Sequence, residues 1–295
     1  MESKQLLIGL PGTGKSTFLA ALWFEAERGE TQWAISDLGP DLEHLNALTD
    51  RWLRCDAIER SALGREAIVS MQFADRESRQ IVRVFFPDLA GETFEDQWVS
   101  RHCSKEYFEI ARETDRVLLF IHPQKLRQGE RIEDFLEVAG EEREGKAEAL
   151  EVPRQPERDP TQVILVDLLQ ILTWPPISHD SLKVAVLLSA WDLVEREQQA
   201  GGVPRVGPDR WFSNQLPLLD QFLKSNADCV QFRVFGVSAQ GGDYEDANER
   251  EKLLQMANPV ERIGMVASGS RGHDLTAPLT WLAQGRSDSP TNADS

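Results

Sequence analysis

Residues 5–16 read Gln-Leu-Leu-Ile-Gly-Leu-Pro-Gly-Thr-Gly-Lys-Ser, and no other stretch restricts the fold as much. An apolar run, Leu6-Leu7-Ile8, leads into Gly9, and after four more residues come Gly14, Lys15 and Ser16. The pattern G-x-x-x-x-G-K-[ST] needs a buried strand before it and a helix after it. Leu6-Leu7-Ile8 supplies the strand, and Thr17-Phe18-Leu19-Ala20-Ala21-Leu22-Trp23 supplies the helix. Glycines let such a loop turn its backbone N–H groups inward onto phosphate oxygens, and the helix N-terminus adds its dipole. Gly9, Pro11, Gly12, Thr13, Gly14, Lys15, Ser16 and Thr17 are therefore the first nucleotide-binding candidates. Lys15 is expected to reach the β- and γ-phosphates, with its ammonium facing solvent while the loop is empty, and Ser16 to ligate Mg²⁺.

Charge and composition exclude several classes. A net charge of −17 repels a phosphate backbone, so no nucleic-acid partner is expected. No run of eighteen apolar residues occurs, so no membrane span is expected. The chain opens on the strand that feeds the loop, which does not read as a signal peptide. Cys55, Cys103 and Cys229 are scattered, without ligand spacing, and fit a reduced, cytoplasmic setting. The histidines, His44, His102, His122, His179 and His273, also lack ligand spacing.

Further along, apolar runs and helical patterns alternate, which predicts an α/β sheet flanked by helices. Strands are expected at 67–73 and 80–86, joined by a turn at 74–79 too short for anything but an antiparallel hairpin. Residues 94–114 read as helix, 116–121 as a strand buried on both faces, 161–174 as helix and 182–188 as another core strand. A helix near 209–224, a strand at 230–237 and a final helix at about 275–284 follow. Residues 123–160 are charged and end among Pro153, Pro156 and Pro160, an insertion within one domain spanning 1–284. Residues 285–295 are small and polar and are expected to be a disordered tail.

Three later motifs concern the nucleotide. Phe85-Phe86-Pro87-Asp88-Leu89-Ala90-Gly91-Glu92 is a strand closing in D-x-x-G, where the Asp approaches Mg²⁺ through water and the Gly N–H approaches the γ-phosphate. Ser189-Ala190-Trp191-Asp192 follows the 182–188 strand, and Ser238-Ala239-Gln240 follows the 230–237 strand. In this order, phosphate loop, hairpin, D-x-x-G, N-K-x-D-like and S-A-K-like elements resemble the Ras-like, translation-factor class of P-loop GTPases, to about residue 282. The Gly-Leu-Pro-Gly-Thr-Gly-Lys-Ser-Thr loop, the Ser-Ala-Trp-Asp and the terminal Pro278-Leu279-Thr280-Trp281-Leu282 resemble the double-GTPase branch of bacterial conflict and defence systems.

The resemblance implies a mostly parallel sheet with one antiparallel hairpin, GTP and Mg²⁺ as cofactors, and Asp192 as the carboxylate that reads guanine. Ser238 and Ala239 would support the base. Two departures stand out: Ser189 replaces the Asn that braces loop and base, and Ala190 replaces the Lys whose stem covers the base plane. Trp191 reads either as a replacement platform or as a core residue. Glu92 stands at the position of the water-orienting Gln, either as a catalytic group or as an acid favoured at a helix start. For the first-switch Mg²⁺ ligand, Thr31, Thr49 and Ser61 lie in the interval, and Ser61 is best placed.

A slow GTPase switch within a larger assembly, contacting a protein partner through 49–65 and 88–100, is the reading carried forward. A nucleotide-binding scaffold without useful hydrolysis is the first alternative. An ATPase of the AAA type is the second, although no core strand closes in Asp-Asp or Asp-Glu.

Overall fold

Side-chain alternation along the first strand already divides the molecule in two. Leu6 and Ile8 pack into one apolar cluster and Leu7 into the other, and all three are fully buried. The computed structural model describes residues 2–37, 42–58, 68–87, 92–129, 154–202 and 204–285. Its strands are β1 (Glu2–Gly9), β2 (Trp33–Asp37), β3 (Val69–Asp75), β4 (Ile81–Phe86), β5 (Arg116–Ile121), β6 (Leu182–Leu188), β7 (Val230–Ser238), β8 (Gly264–Ala267) and β9 (Ser270–Gly272). Among the described residues they form one sheet in the order β2-β3-β4-β1-β5-β6-β7-β8-β9. The central strands β4, β1, β5, β6 and β7 pair in parallel, and the outer pairs on both sides are antiparallel. The expected hairpin is present as β3–β4, with Val69 opposite Phe86.

Helices cover both faces, as buried parallel strands require. They are α1 (Lys15–Arg28), α2 (Leu42–Leu53), α3 (Glu92–Ser100), α4 (Lys105–Glu113), α5 (Thr161–Thr173), α6 (Trp191–Ala200), α7 (Pro208–Gln215), α8 (Pro217–Ser225), α9 (Ala247–Leu254) and α10 (Ala277–Ala283). Phe18, Leu22, Trp52, Leu279 and Leu282 from α1, α2 and α10 pack on the Leu7 face. Phe94, Tyr107, Leu168, Phe212 and Leu219 from α3, α4, α5, α7 and α8 pack on the other.

Two expected helices are each broken into two. Residues 94–114 stop at Arg101, which has φ 60, and restart at Ser104, whose hydroxyl accepts the Tyr107 N–H at 3.1 Å. A left-handed residue ends the first helix and a serine cap opens the second. The 209–224 segment divides because Pro217 has no N–H to continue a helix and forces Leu216 to φ −129, ψ 54. The β3 strand runs on through Asp75, whose carboxylate accepts the Glu77 and Ser78 N–H groups and holds the hairpin turn.

The terminal Pro278-Leu279-Thr280-Trp281-Leu282 motif is α10, a structural clasp. Gln5 donates to Leu279 O at 3.0 Å, Trp33 Nε1 to Thr280 Oγ1 at 2.8 Å, and Lys183 Nζ to Trp281 O at 2.8 Å. The Lys183 ammonium also lies 4.5 Å from the Trp281 ring centroid.

Glu25 on α1 is 4% exposed and accepts the Leu275 N–H at 3.0 Å. Burial pushes its carboxyl from 4.5 up to about 8, helped by Asp274 and Glu30 and opposed by the Leu275 N–H. The folded form thus holds a proton that the unfolded chain releases above pH 4.5, so stability falls as pH rises towards 8. Glu25→Gln keeps the acceptor and removes the proton. Its stability gain over the parent is expected to be absent near pH 4.5 and to reach on the order of 3 kcal/mol by pH 8. Urea unfolding of both proteins across that range checks it; a gain independent of pH contradicts it.

Candidate functional site

The carboxyl ends of parallel strands are where this architecture binds ligands, and the sequence motifs meet there. Gly9 ends β1, and the loop that follows turns through Gly12 (φ 69) and Gly14 (φ 86) into α1. Gly9 has no alternative. A Cβ there would sit 2.9 Å from both Phe120 Cβ and Phe120 O on β5, and 3.0 Å from Thr13 Oγ1. The Thr13 hydroxyl donates to Leu10 O at 2.8 Å.

Lys15 does not face solvent. It is 2% exposed, and its Nζ donates to Gly9 O at 2.8 Å and to Leu10 O at 3.0 Å. An ammonium cannot be buried without acceptors, and the loop carbonyls provide them. Pro11, Ser16 and Thr17 lie half-buried on the same loop and first helical turn, where a ligand can reach them.

The second half of the site joins β6 to β7. Ser189 donates through its hydroxyl to Ile121 O at 3.3 Å, and its Cβ lies 3.4 Å from where a Gly14 Cβ would be. It therefore stands against the phosphate loop, where the longer Asn was expected. Ala190 takes the left-handed conformation (φ 47, ψ 43) and turns the chain into α6. That turn places Asp192 opposite Ser238, whose hydroxyl donates to Asp192 Oδ1 at 2.6 Å. Arg196, one turn on, donates to Asp192 Oδ2 at 3.0 Å and to Glu249 at 2.7 and 2.9 Å. The i, i+4 spacing of Asp192 and Arg196 is the sequence signal for this pair, one that the motif pattern alone does not include.

Trp191 is not a base platform. It is 2% exposed, stacks edge-on against Trp211 at 6.1 Å, and fills the space where a Gly236 Cβ would be, 2.6 Å from its Cγ. Ala239 is braced from behind, since Trp52 Nε1 on α2 donates to Ala239 O at 2.8 Å. Arg262, 5% exposed, holds α2 in turn by donating to Trp52 O and Leu53 O, both at 3.3 Å. Nothing in the local sequence of α2 pairs it with residue 239.

His122, just after β5, lies close to both halves. Burial, then the Lys125 ammonium, pushes its imidazole down from 6.5 to about 4, with Asp192 opposing, so the ring is neutral near pH 7. Its Nδ1 accepts the Gln124 N–H at 3.3 Å.

Asp88, Gly91 and Ser61 lie outside the described residues. Of the other two first-switch candidates, Thr31 donates to Trp33 O at 2.6 Å and Thr49 to Ala20 O at 3.3 Å, both buried away from the loop. Glu92 lies in α3, directly after residues outside the description. Of the proposed partner surfaces, residues 59–65 and 88–91 are likewise outside the description, and Thr49 and Trp52 are core. Residues 130–153 of the charged insertion and 286–295 of the tail also lie outside it. Among the described residues, no helix is long and apolar enough to cross a membrane.

A sequence model of the Double-GTPase 1 family matches residues 6–282. Comparison with curated proteins gives no match. Among solved structures, the GTPase-like domain of Ski7 from S. cerevisiae, crystallised bound to GTP, aligns over 82% of this chain and 44% of its own, at 14% identity and a TM-score of 0.43. This chain therefore spans under half of that one, and a likeness at that level carries no argument about function. The family match, by contrast, runs from the first buried strand through the final helix: the chain belongs to the Double-GTPase 1 family.

Proposed function

We propose that this protein binds GTP with Mg²⁺ and hydrolyses it slowly, as a nucleotide-dependent switch in a larger bacterial assembly. The observation that carries the reading is the Asp192–Ser238 pair, 2.6 Å apart at the same sheet end as the phosphate loop. A carboxylate has about four acceptor sites on its two oxygens. Ser238 takes one on Oδ1 and Arg196 one on Oδ2. One site on each oxygen is left for the two N–H donors on the edge of guanine, which adenine lacks.

In this reading Gly9 to Thr17 cradle the phosphates, with Lys15 moving from the Gly9 and Leu10 carbonyls onto phosphate oxygens. Gly91 contributes its N–H, and Ser238 and Ala239 hold the base through Asp192 and the backbone. The Ser16 hydroxyl, half-buried in the first turn of α1, is a hard oxygen donor of the kind Mg²⁺ accepts, and Asp88 and Ser61 complete the proposed set. Mg²⁺ would neutralise charge between the phosphates. Glu92, beginning α3, would orient water or await a partner's cation. A scaffold that binds GTP without turnover is the alternative.

Turnover separates the two. The isolated chain is expected to hydrolyse GTP below about 10⁻² s⁻¹, the scale of enzymes that carry their own arginine. Single-turnover kinetics with GTP and Mg²⁺ measures it. No product over days supports the scaffold. Faster turnover that is lost in Glu92→Ala makes Glu92 the catalytic group and removes the need for a partner.

A further inference from the structure

A second lysine lies on the phosphate loop, and no motif marked it. Lys125 follows β5 in a short helical turn, Pro123–Lys125, and its side chain crosses to the loop. Its Nζ donates to Gly12 O at 2.9 Å. A Cβ on Gly12 would meet that Nζ at 2.4 Å and the Cε and Cδ at 3.5 and 3.6 Å, so the end of the lysine lies flat over the glycine. The neighbouring Gln124 donates to Glu197 on α6 at 2.8 Å, which ties the same turn to the helix that carries Asp192.

The consequence follows from peptide planarity. In a trans peptide the C=O of one residue and the N–H of the next point in opposite directions. A cation that holds the Gly12 carbonyl therefore fixes the whole peptide plane, and with it the direction of the Thr13 N–H. Lys15 likewise fixes the peptide plane between Gly9 and Leu10 by holding the Gly9 carbonyl. Once phosphate is bound, Lys15 has a stronger acceptor than those carbonyls. Lys125, exposed, keeps its hold on Gly12.

We propose that Lys125 is a positioning residue for nucleotide binding: it braces the Gly12 peptide from the loop after β5. This rests on reading residues 9–17 as the phosphate-binding loop. The brace acts on the phosphate cradle and not on the base, so its loss should weaken every triphosphate alike.

The test is calorimetric titration of the parent, Lys125→Ala and Lys125→Met with GTP, ATP and inorganic tripolyphosphate, alongside thermal melts of the empty proteins. Both single variants are expected to lose affinity about ten-fold for all three ligands, one charge-assisted hydrogen bond's worth. The GTP/ATP ratio and the melting temperature of the empty protein stay at parent values. Parent-like affinity in Lys125→Ala overturns the proposal. So does a loss confined to one base, or full affinity in Lys125→Met. A parent that binds no GTP overturns the phosphate-loop reading itself, which these variant outcomes do not.

Discussion

Lys15→Ala is expected to lower GTP affinity by about 10²- to 10⁴-fold, the equivalent of two charge-assisted contacts to phosphate. Its effect on the empty protein is smaller but real. Lys15 is 2% exposed and donates to the Gly9 and Leu10 carbonyls, so truncation takes the lysine donor from Gly9 O, leaves Leu10 O with the Thr13 hydroxyl, and opens a gap beneath the loop. Removing a buried ammonium also relieves its desolvation, and the two effects offset each other in part. Lys15→Met keeps the stem and isolates the charge. Thermal melts with and without GTP read both effects, because a ligand that binds only the native state raises the melting temperature. The parent should be shifted upward by GTP, and neither variant should be. A variant whose melting temperature rises with GTP as far as the parent's removes Lys15 from the phosphate site.

Asp192→Asn should exchange the base preference. The carboxylate offers two acceptors to guanine's two donors, about 3–6 kcal/mol of preference at ~1.5–3 kcal/mol per charge-assisted bond. The amide offers one acceptor and one donor group, which matches xanthine. GTP affinity is expected to fall on the order of 100-fold or more, and xanthosine triphosphate to become the better ligand. The fold should tolerate the change. The amide oxygen can still accept from Ser238, and Arg196 keeps its two bonds to Glu249. Competition of each triphosphate against a fluorescent GTP analogue measures the exchange. An unchanged ratio of GTP to xanthosine triphosphate makes Asp192 structural and places base reading elsewhere.

The sheet was legible because its signals are local. Leu182–Leu188 is a run of buried residues that only a central strand explains, and Gly9 to Ser16 carries its turn and its helix start in its own residues. The misses have local causes as well. Arg101 and Pro217 each break a helical pattern within a single turn, and a periodic apolar face reads continuously across such a break. Helices α2, α6 and α9 and strands β2, β8 and β9 are not predicted by the sequence pattern; the strands are short or lie at the sheet edge. At the site, the residues that carry a motif were visible and those that brace it were not. Trp52 reaches Ala239, and Lys125 reaches Gly12, across more than a hundred residues of chain. Sequence spacing holds no record of such pairs; the order of the strands in the sheet creates them.

Isothermal titration of the parent protein with GTP and with ATP, each with and without Mg²⁺, tests the central claim most directly. Tight GTP binding that exceeds ATP binding by about 100-fold or more, and that weakens when Mg²⁺ is withdrawn, is the expected result. Equal affinity for the two triphosphates, or tighter ATP binding, would contradict it.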